Sequence, residues 1–228
     1  MLRLTIDAPP KINLSLDVVG RRGDGYHLLS TVMQSLELAD TLWLSACPDA
    51  GALVLTCDSA EIPTDRRNTA YRAAERFMQA AFLPEESRPG LQLHIRKRIP
   101  AAAGLAGGSA DAAGVLCGLS RLFPGRLTRE ELFALAADIG ADVPFCLQGG
   151  TVLCEGVGER LTLLPPWTGL SVLLCKPQQG LSTAAVFNRL KLDRLGRRPV
   201  QDRVLDAVRK QDLGLLAKAT ANVLEAVS

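Results

Sequence analysis

The 228-residue sequence is poor in several residue types from which common functional sites are built. Aromatic residues make up only 4% of it, and it contains two histidines and six cysteines. No two cysteines have the Cys-x-x-Cys spacing of a zinc knuckle or a thioredoxin-type centre, and two histidines exclude a His-rich metal site. We therefore predict reduced thiols. We expect Cys57, Cys146, Cys154 and Cys175 to pack as small apolar side chains, since they lie in or beside apolar runs.

Two further features are missing. Lys and Arg number 26 against 24 Asp and Glu, which leaves no basic excess of the kind that nucleic-acid binding requires. No run approaches the roughly 18 apolar residues of a membrane span, and the first residues lack the apolar region of a secretion signal. We expect a cytoplasmic protein with no nucleic-acid partner and no membrane partner. No pattern in the sequence indicates an oligomeric state.

Hydrophobic residues (47%) and charged residues (22%) are present at globular levels, and the length suits one large domain or two small lobes. Hydrophobic periodicity predicts strands at 12–18, 41–46, 52–57, 91–95, 150–156, 159–164 and 170–176. It predicts helices over 69–82, after the glycine-rich segment near 104–108, from a Thr128–Glu131 capping box to about Asp138, and from Ser182 with breaks near Gly196–Pro199 and Gly214. This mixture predicts an α+β fold, with a lobe boundary near Pro165–Pro166.

The most informative segment begins at Pro100 and contains three glycines within five positions, followed at once by an Ala-rich stretch. Glycines let backbone N–H groups converge, and the N-terminus of a helix carries partial positive charge, so the segment predicts an anion site suited to nucleotide phosphates. It matches neither of the two common nucleotide-binding loops, and Ser109 does not lie in a nucleophile elbow. The alternative is a flexible turn with Ser109 as an ordinary helix N-cap.

Two other segments add chemistry to this loop. Lys11 and Asn13 flank an apolar strand position, and Asp142 stands in an otherwise apolar, turn-forming stretch. Lys11 can equally be a solvated strand residue, and Asp142 a turn or cap residue. Taken together, a phosphate loop, a cation and a carboxylate are what the phosphorylation of a hydroxyl group requires.

In order along the chain, the segments 10–14, 100–112 and 140–145 resemble the GHMP small-molecule kinases. More narrowly, the Arg22–His27 turn and the Glu155–Glu159 segment resemble the family of 4-diphosphocytidyl-2-C-methyl-D-erythritol kinases. The resemblance runs from about residue 8 to about residue 190. It implies a two-lobe fold, with a ribosomal protein S5 domain 2-like ATP-binding lobe over residues 1–160 and a smaller, ferredoxin-like substrate lobe over residues 161–228.

The resemblance also implies ATP-dependent transfer of a phosphoryl group to the 2-hydroxyl of the family's substrate, on the methylerythritol phosphate route to isoprenoids. Lys11 and Asp142 match the family's catalytic pair, in which Asp142 takes the hydroxyl proton and Lys11 keeps Asp142 ionised. Mg²⁺ is expected to arrive with ATP rather than at a site of protein ligands. The positions that match the ATP site are Asn68, Lys97, Pro100, Ala101, Ala102, Ala103, Gly104, Leu105, Ala106, Gly107, Gly108, Ser109 and Ala110.

Several of the few aromatic and histidine side chains match residues that bind the substrate in the family. Tyr26 matches the residue that stacks on the cytosine ring, His27 the residue that bonds the edge of the base, and Phe187 a second aromatic on the other face. Thr183 lies near Phe187, and Asn13 lies toward the erythritol end. The alternatives are a packed turn for Tyr26 and His27 and a core position for Phe187 on an amphipathic helix.

The sequence departs from the family at its end. Family members usually continue into a third, glycine- and serine-rich loop, whereas this sequence stops after Asn222–Ser228, with Val223 where an Asp is common. We therefore expect an incomplete substrate lobe. Two alternatives stay open at this stage: a GHMP-type kinase for another small alcohol, which the Tyr26–His27 pair disfavours, and a nucleotide-binding form without turnover.

Overall fold

The computed structural model of the protein describes residues 3–47, 51–83, 88–176, 180 and 183–227. The strands in this part are β1 (Arg3–Ala8), β2 (Lys11–Arg21), β3 (His27–Ser35), β4 (Asp40–Cys47), β5 (Leu53–Cys57), β6 (Gly90–Arg96), β7 (Thr151–Gly156) and β8 (Arg160–Leu163). The α-helices are α1 (Thr69–Ala81), α2 (Gly107–Leu122), α3 (Arg129–Ile139), α4 (Val143–Gln148), α5 (Thr183–Arg189), α6 (Gln201–Lys210) and α7 (Leu213–Ala219). The predicted α+β class is confirmed.

The elements form two compact units, each built around its own four-stranded sheet. The first unit comprises Met1–Pro10, Leu36–Pro100 and Ala106–Gln148. The second comprises Lys11–Ser35, Ala101–Leu105 and Gly149–Ser228. Each unit is therefore assembled from separate stretches, because strands that are distant in sequence hydrogen-bond in the same sheet. The division into lobes at residue 160 stays a prediction.

In the first unit the strand order is β1-β4-β6-β5, with only β5 and β6 parallel. Alternate residues such as Leu42 and Leu44 of β4 are buried, as the period-2 pattern of a strand requires. Helix α2 packs on this face through Gly114 and Gly118. A Cβ at Gly114 would lie 2.3 Å from Leu42 Cδ1, so the absence of a side chain is what allows the helix to approach the sheet.

In the second unit the order is β2-β3-β7-β8, and all neighbours are antiparallel. An apolar cluster joins this sheet to α6 and α7, and its buried members are Leu14, Val32, Trp167, Val204, Ala207, Val208, Leu216 and Ala219. Arg198 makes a two-oxygen ion pair with Asp17 of β2, at 2.8–3.2 Å. This unit positions β2 and the β2–β3 turn, which carry several of the predicted site residues.

Most predicted elements are confirmed, including the capping box in which Thr128 and Glu131 bond reciprocally at the start of α3. The predicted strand at 170–176 is wrong: the segment has no regular structure, no described strand pairs with it, and Leu173 is 93% exposed. The predicted break near Gly214 is confirmed: α6 ends at Lys210, the chain turns at Gln211 with a φ of 52°, and α7 begins at Leu213, one residue before Gly214. The sequence pattern did not predict β1, β3 or α4.

All six cysteines lie in the described part and none forms a disulfide there. That the thiols are reduced stays a prediction. Cys154 is buried, as expected. Cys175 is exposed because the segment around it forms no strand, and its predicted packing is wrong. None of the described helices is both long enough and apolar enough to span a bilayer.

Candidate active site

The glycine-rich loop leads into α2 with its backbone in unusual conformations. Ala102, Gly104 and Ala106 all have positive φ, at 51°, 71° and 57°. Ala106 is the N-cap of α2 and provides no side-chain cap, and the first turn holds no acidic residue. The N–H groups of residues 107–109 precede the first intrahelical bond, which Ala110 N donates to Ala106 O at 2.8 Å. This uncapped N-terminus has the open donors and the positive dipole end that bind phosphate groups.

The alternative assignment of Ser109 as the N-cap is wrong, since Ser109 is the third residue of the helix. The two glycines ahead of it pack closely against neighbouring side chains. A Cβ would lie 3.1 Å from Ile99 Cγ2 at Gly107 and 3.0 Å from Thr69 Oγ1 at Gly108. A side chain at either position would therefore require Ile99 or Thr69 to shift by a few tenths of an ångström.

The N-terminus of α1 lies beside that of α2. Thr69 Oγ1 donates to the carbonyl oxygen of Gly108 at 2.5 Å. Asn68 is the N-cap of α1: its amide oxygen accepts from Ala70 N at 2.8 Å and its amide nitrogen donates to Pro63 O at 2.7 Å. Asn68 thus has a structural role, while its contact with a nucleotide stays a prediction. Sequence reasoning missed Thr69, although an Asn-Thr pair before an amphipathic helix is a helix-start signal.

Lys97 lies between two buried carboxylates in the first unit. Its Nζ is 2.7 Å from Asp111 Oδ2 and makes a second close ion pair with Asp40. Its side chain is only 12% exposed, and those of Asp40 and Asp111 less still. Burial raises the pKa of Asp111 to about 7, against the opposing effect of Lys97. Contact between Lys97 and a nucleotide stays a prediction; neither carboxylate was singled out from the sequence.

Lys11 begins β2 and is 7% exposed, so its alternative assignment as a solvated strand residue is wrong. Its Nζ donates to Asn13 Oδ1 at 2.8 Å, and Asn13 Nδ2 donates to Thr31 Oγ1 at 2.7 Å. The Lys11 amide donates to Leu105 O in the glycine-rich loop at 3.1 Å. Because the acceptor at Asn13 is a neutral amide, this contact leaves the positive charge of Lys11 unbalanced.

Asp142 immediately precedes α4, and its carbonyl oxygen accepts from Cys146 N at 3.0 Å. Because it directly precedes α4, Asp142 has the position of a helix N-cap. Its side chain is half-buried. A carboxylate is a side chain that can accept the proton of a hydroxyl group. The catalytic pairing of Asp142 with Lys11 stays a prediction.

The predicted cytosine residues lie at and beyond the β2–β3 turn. Tyr26 is 65% exposed, which contradicts the alternative of a packed turn tyrosine. The ring centroids of His27 and Phe187 are 5.4 Å apart, with the planes tilted by 35°. Phe187 also packs against the buried cluster of Leu16, Val18 and Val223. It therefore has the core contacts that the alternative assignment expected. The side chain of Thr183 lies outside the described residues.

The surroundings of His27 favour the neutral form of its imidazole. Partial burial, and secondly the charge of Arg21, lower the pKa of His27 below its usual 6.5. A neutral imidazole keeps one nitrogen as a hydrogen-bond acceptor, which the amino group of a cytosine can use. Among the described residues, no group of three or more His, Cys, Asp or Glu side chains could hold a metal ion. The arrival of Mg²⁺ with ATP stays a prediction.

The model of the GHMP kinases N terminal domain matches residues 68–150, which include the start of α1, the glycine-rich loop and Asp142. The chain is 42% identical over 228 residues to the 4-diphosphocytidyl-2-C-methyl-D-erythritol kinase of Acetivibrio thermocellus, covering 100% of this chain and 78% of that kinase. It is 43% identical over 225 residues to the kinase of that name from Caldicellulosiruptor saccharolyticus, covering 99% and 76%.

Solved structures agree with these relatives. A crystal structure of 4-(cytidine 5'-diphospho)-2C-methyl-D-erythritol kinase superposes with a TM-score of 0.72 at 35% identity, over 98% of this chain and 76% of that one. A homoserine kinase from Cytophaga hutchinsonii superposes with a TM-score of 0.66 at 16% identity, over 99% and 73%, and shares the fold. With its open helix N-terminus and its match along the whole chain, the protein belongs to the 4-diphosphocytidyl-2-C-methyl-D-erythritol kinase family of the GHMP kinases.

Proposed function

We propose that this protein uses ATP to phosphorylate the 2-hydroxyl of 4-diphosphocytidyl-2-C-methyl-D-erythritol, giving the 2-phosphate and ADP. The reaction belongs to the methylerythritol phosphate route of isoprenoid biosynthesis. The observation that carries this proposal is the 42–43% identity, along nearly the whole chain, to kinases of that name. We also propose that the protein acts in the cytoplasm on this small molecule, without nucleic-acid or membrane partners.

The site supports the ATP half of the reaction. The open N–H groups of residues 107–109 suit the phosphates of ATP, and the neighbouring start of α1 adds a second positive helix end. Mg²⁺ would be held mainly by the phosphate oxygens, since the described residues offer no carboxylate cluster for it. When bound, the ion neutralises charge on the phosphates and orients them for in-line transfer.

The proposed chemistry is a single displacement. The oxygen of the 2-hydroxyl forms a bond to the γ-phosphorus of ATP, the bond from that phosphorus to the β,γ-bridging oxygen breaks, and ADP leaves. Asp142 accepts the hydroxyl proton and later releases it to solvent. Lys11, an ammonium group bonded to a neutral amide, supplies positive charge to the reacting groups.

The cytidyl end of the substrate is assigned to the exposed ring of Tyr26 and to the His27–Phe187 pair. Stacking of a base on an aromatic side chain is worth about 1–3 kcal/mol and needs an accessible ring face, which Tyr26 has. Neutral His27 would bond the edge of the base. We assign Asn13 to the erythritol end, next to Lys11.

The test is to incubate the purified protein with MgATP and each of three acceptors: the cytidyl substrate, mevalonate and homoserine. We expect stoichiometric ADP and a 2-phosphate product, identified by phosphorus NMR, with the cytidyl substrate alone. Turnover with mevalonate or homoserine instead would establish a different small-alcohol kinase. ATP binding without acceptor-dependent ADP would establish a binding form without turnover.

A further inference from the structure

Three charged side chains in the first unit are buried and take no part in the transfer step proposed above, although Lys97 matches a nucleotide-contact position of the family. They are Asp40, Lys97 and Asp111, and the two carboxylates are 0% and 2% exposed. Buried ion pairs lose more solvation than they regain in many proteins, and apolar residues of similar volume are often as stable or more so. Asp111 also sits in an apolar stretch of α2, with Ala110, Ala112 and Ala113 buried around it. Stability alone therefore does not account for the cluster.

The cluster joins the two ends of the glycine-rich loop. Asp40, the first residue of β4, accepts from the amides of Arg98 and Ile99 at 2.5 and 2.9 Å, just before the loop. Lys97 follows β6, and Asp111 is the fifth residue of α2, just after the loop. A Cβ on Gly107 would lie 3.6 Å from Lys97 Nζ, so the ammonium group lies directly beneath the start of the helix.

The cluster also sets the charge beneath a helix end that has to hold a triphosphate. With both carboxylates ionised it carries a net negative charge, which opposes an anion nearby. Asp111 Oδ1 is buried and has no hydrogen-bond partner among the described residues. This oxygen can therefore carry a proton without breaking a hydrogen bond that it accepts. The charged groups that act on Asp111 are Lys97 and Asp40, and the thiol of Cys57 at the end of β5 feels the charge of Asp111. Burial raises the pKa of Asp111 to about 7, so its charge changes near neutrality.

We propose, building on the kinase function above, that Asp40, Lys97 and Asp111 are positioning residues for the ATP phosphate loop. Lys97 acts through the loop: its ammonium group ties the residues before the loop to the first turns of α2, so that the N–H groups of residues 107–109 stay in register with the phosphates. A displacement of reacting groups by about 1 Å can cost on the order of 100-fold in rate. The contribution of the cluster is therefore to the alignment of these N–H groups with the phosphates rather than to the stability of the fold.

The decisive comparison is Asp111→Leu against Asp111→Asn. Leucine has a similar volume but removes the contact with Lys97 and leaves a one-to-one Lys97–Asp40 pair, whereas asparagine keeps an acceptor for Lys97. We expect Asp111→Leu to melt at or above the wild-type temperature and yet to lose roughly 10- to 100-fold in kcat/KM for ATP. KM for the cytidyl substrate should not change. Asp111→Asn should keep most of the activity, and its KM for ATP should vary less between pH 6 and pH 8 than that of the wild type.

Lys97→Met tests the other partner, with Lys210→Met as the matched control because Lys210 makes an exposed i,i+4 ion pair far from the loop in sequence. If Lys97→Met fails to fold, Lys97→Met/Asp111→Asn leaves Asp40 bonded to two backbone amides and should show the same weakened ATP binding. A folded Asp111→Leu with wild-type kcat and KM for ATP would overturn the proposal. Titration with a non-hydrolysable ATP analogue, without acceptor, measures loop binding even if the proposed kinase reaction is not observed.

Discussion

At the scale of single residues, the proposed chemistry depends on a carboxylate at a helix start. Asp142 is half-buried at the N-cap position of α4, and its carboxylate is the group proposed to take the hydroxyl proton. We predict that Asp142→Asn lowers kcat by about 10²- to 10⁴-fold, the usual contribution of a positioned proton acceptor. Affinity for an ATP analogue and the melting temperature should stay near wild type. Asp138→Asn, an exposed carboxylate four residues earlier, is the matched control, and near-wild-type turnover in Asp142→Asn would remove the assignment.

Tyr26 is predicted to act on binding rather than on the chemical step. Its ring is 65% exposed in the β2–β3 turn, so little folding energy is lost when it is removed. We expect Tyr26→Ala to raise KM for the cytidyl substrate by about 10-fold with kcat nearly unchanged, because base stacking contributes equally to the ground state and the transition state. Steady-state kinetics provide the measurement. Tyr26→Phe keeps the ring and should behave as wild type; an unchanged KM in Tyr26→Ala would show that the ring does not stack on the base.

Site residues carried by short motifs could be predicted from the sequence, and those that act through long-range contacts could not. Lys11, Tyr26 and the loop glycines stand in short segments: the glycine spacing predicts an anion site, and the resemblance to the family implies the roles of Lys11 and Tyr26. Asp40 and Asp111 are 71 positions apart in the numbering and meet only at Lys97, so no local pattern links them. Cap residues are an intermediate case: Asn68 was singled out as a nucleotide contact, and its capping of α1 became visible only in the structure.

At the scale of elements, α2 connects the phosphate loop to the sheet of the first unit. Its small residues allow an unusually close approach, with Gly114 facing Leu42 and Gly118 facing Leu44. We predict that Gly114→Val lowers the free energy of unfolding by about 1–3 kcal/mol, because the added methyl groups overpack a buried contact. Denaturant melts provide the measurement. Gly23→Val, in an exposed turn where an added Cβ meets no atom within 4 Å, should have little effect. An equal loss of unfolding free energy in both variants would show that the close contact between α2 and the sheet does not account for the effect of Gly114→Val.

The charge on Asp111 makes the stability of this element depend on pH. Burial raises the pKa of Asp111 from 3.8 to about 7 in the folded protein. The folded state therefore holds a proton that the unfolded state has already released, and stability falls as the pH rises from about 4 to about 7. We predict that the melting temperature of the wild type, relative to Asp111→Asn, decreases between pH 5 and pH 8. A constant difference across this range would contradict the assignment.

The type of an element could be predicted from the sequence where its own residues contain a local pattern, such as a cap or a hydrophobic period. The capping box of α3 and the alternation in β2 are local, and both were predicted. Residues 170–176 form a mostly apolar run that predicts a strand, but they remain irregular, because a strand needs a hydrogen-bonded neighbour and none of the described strands provides one. β1 and β3 show the opposite case. Neither was predicted, although Leu4, Ile6 and Ala8 of β1 alternate with polar residues; β3 has no such alternation. β1 pairs with β4, and β3 pairs with β2.

At the scale of the whole molecule, ligand binding should be visible as stability. A ligand that binds only the folded state at about 100 times its Kd adds about 2.7 kcal/mol. For a chain of this length we expect a saturating ATP analogue with Mg²⁺ to raise the melting temperature by roughly 5–10 °C. Gly108→Val, whose side chain would displace Thr69 beside the phosphate loop, should lose most of this shift, while Gly23→Val should keep it. No shift in the wild type at millimolar analogue would contradict the proposed ATP site.

By itself, the sequence determined the fold class and the family and predicted the phosphate loop, since glycine spacing, capping residues and short polar motifs act over a few neighbouring positions. Only the tertiary structure decided how the chain divides into two interleaved units, because sheet partners come from distant stretches. It also decided which charges are buried. In the sequence Lys97 is marked only by its match to the family's ATP site. Its burial between two carboxylates, one from β4 and one from α2, is visible only in the structure.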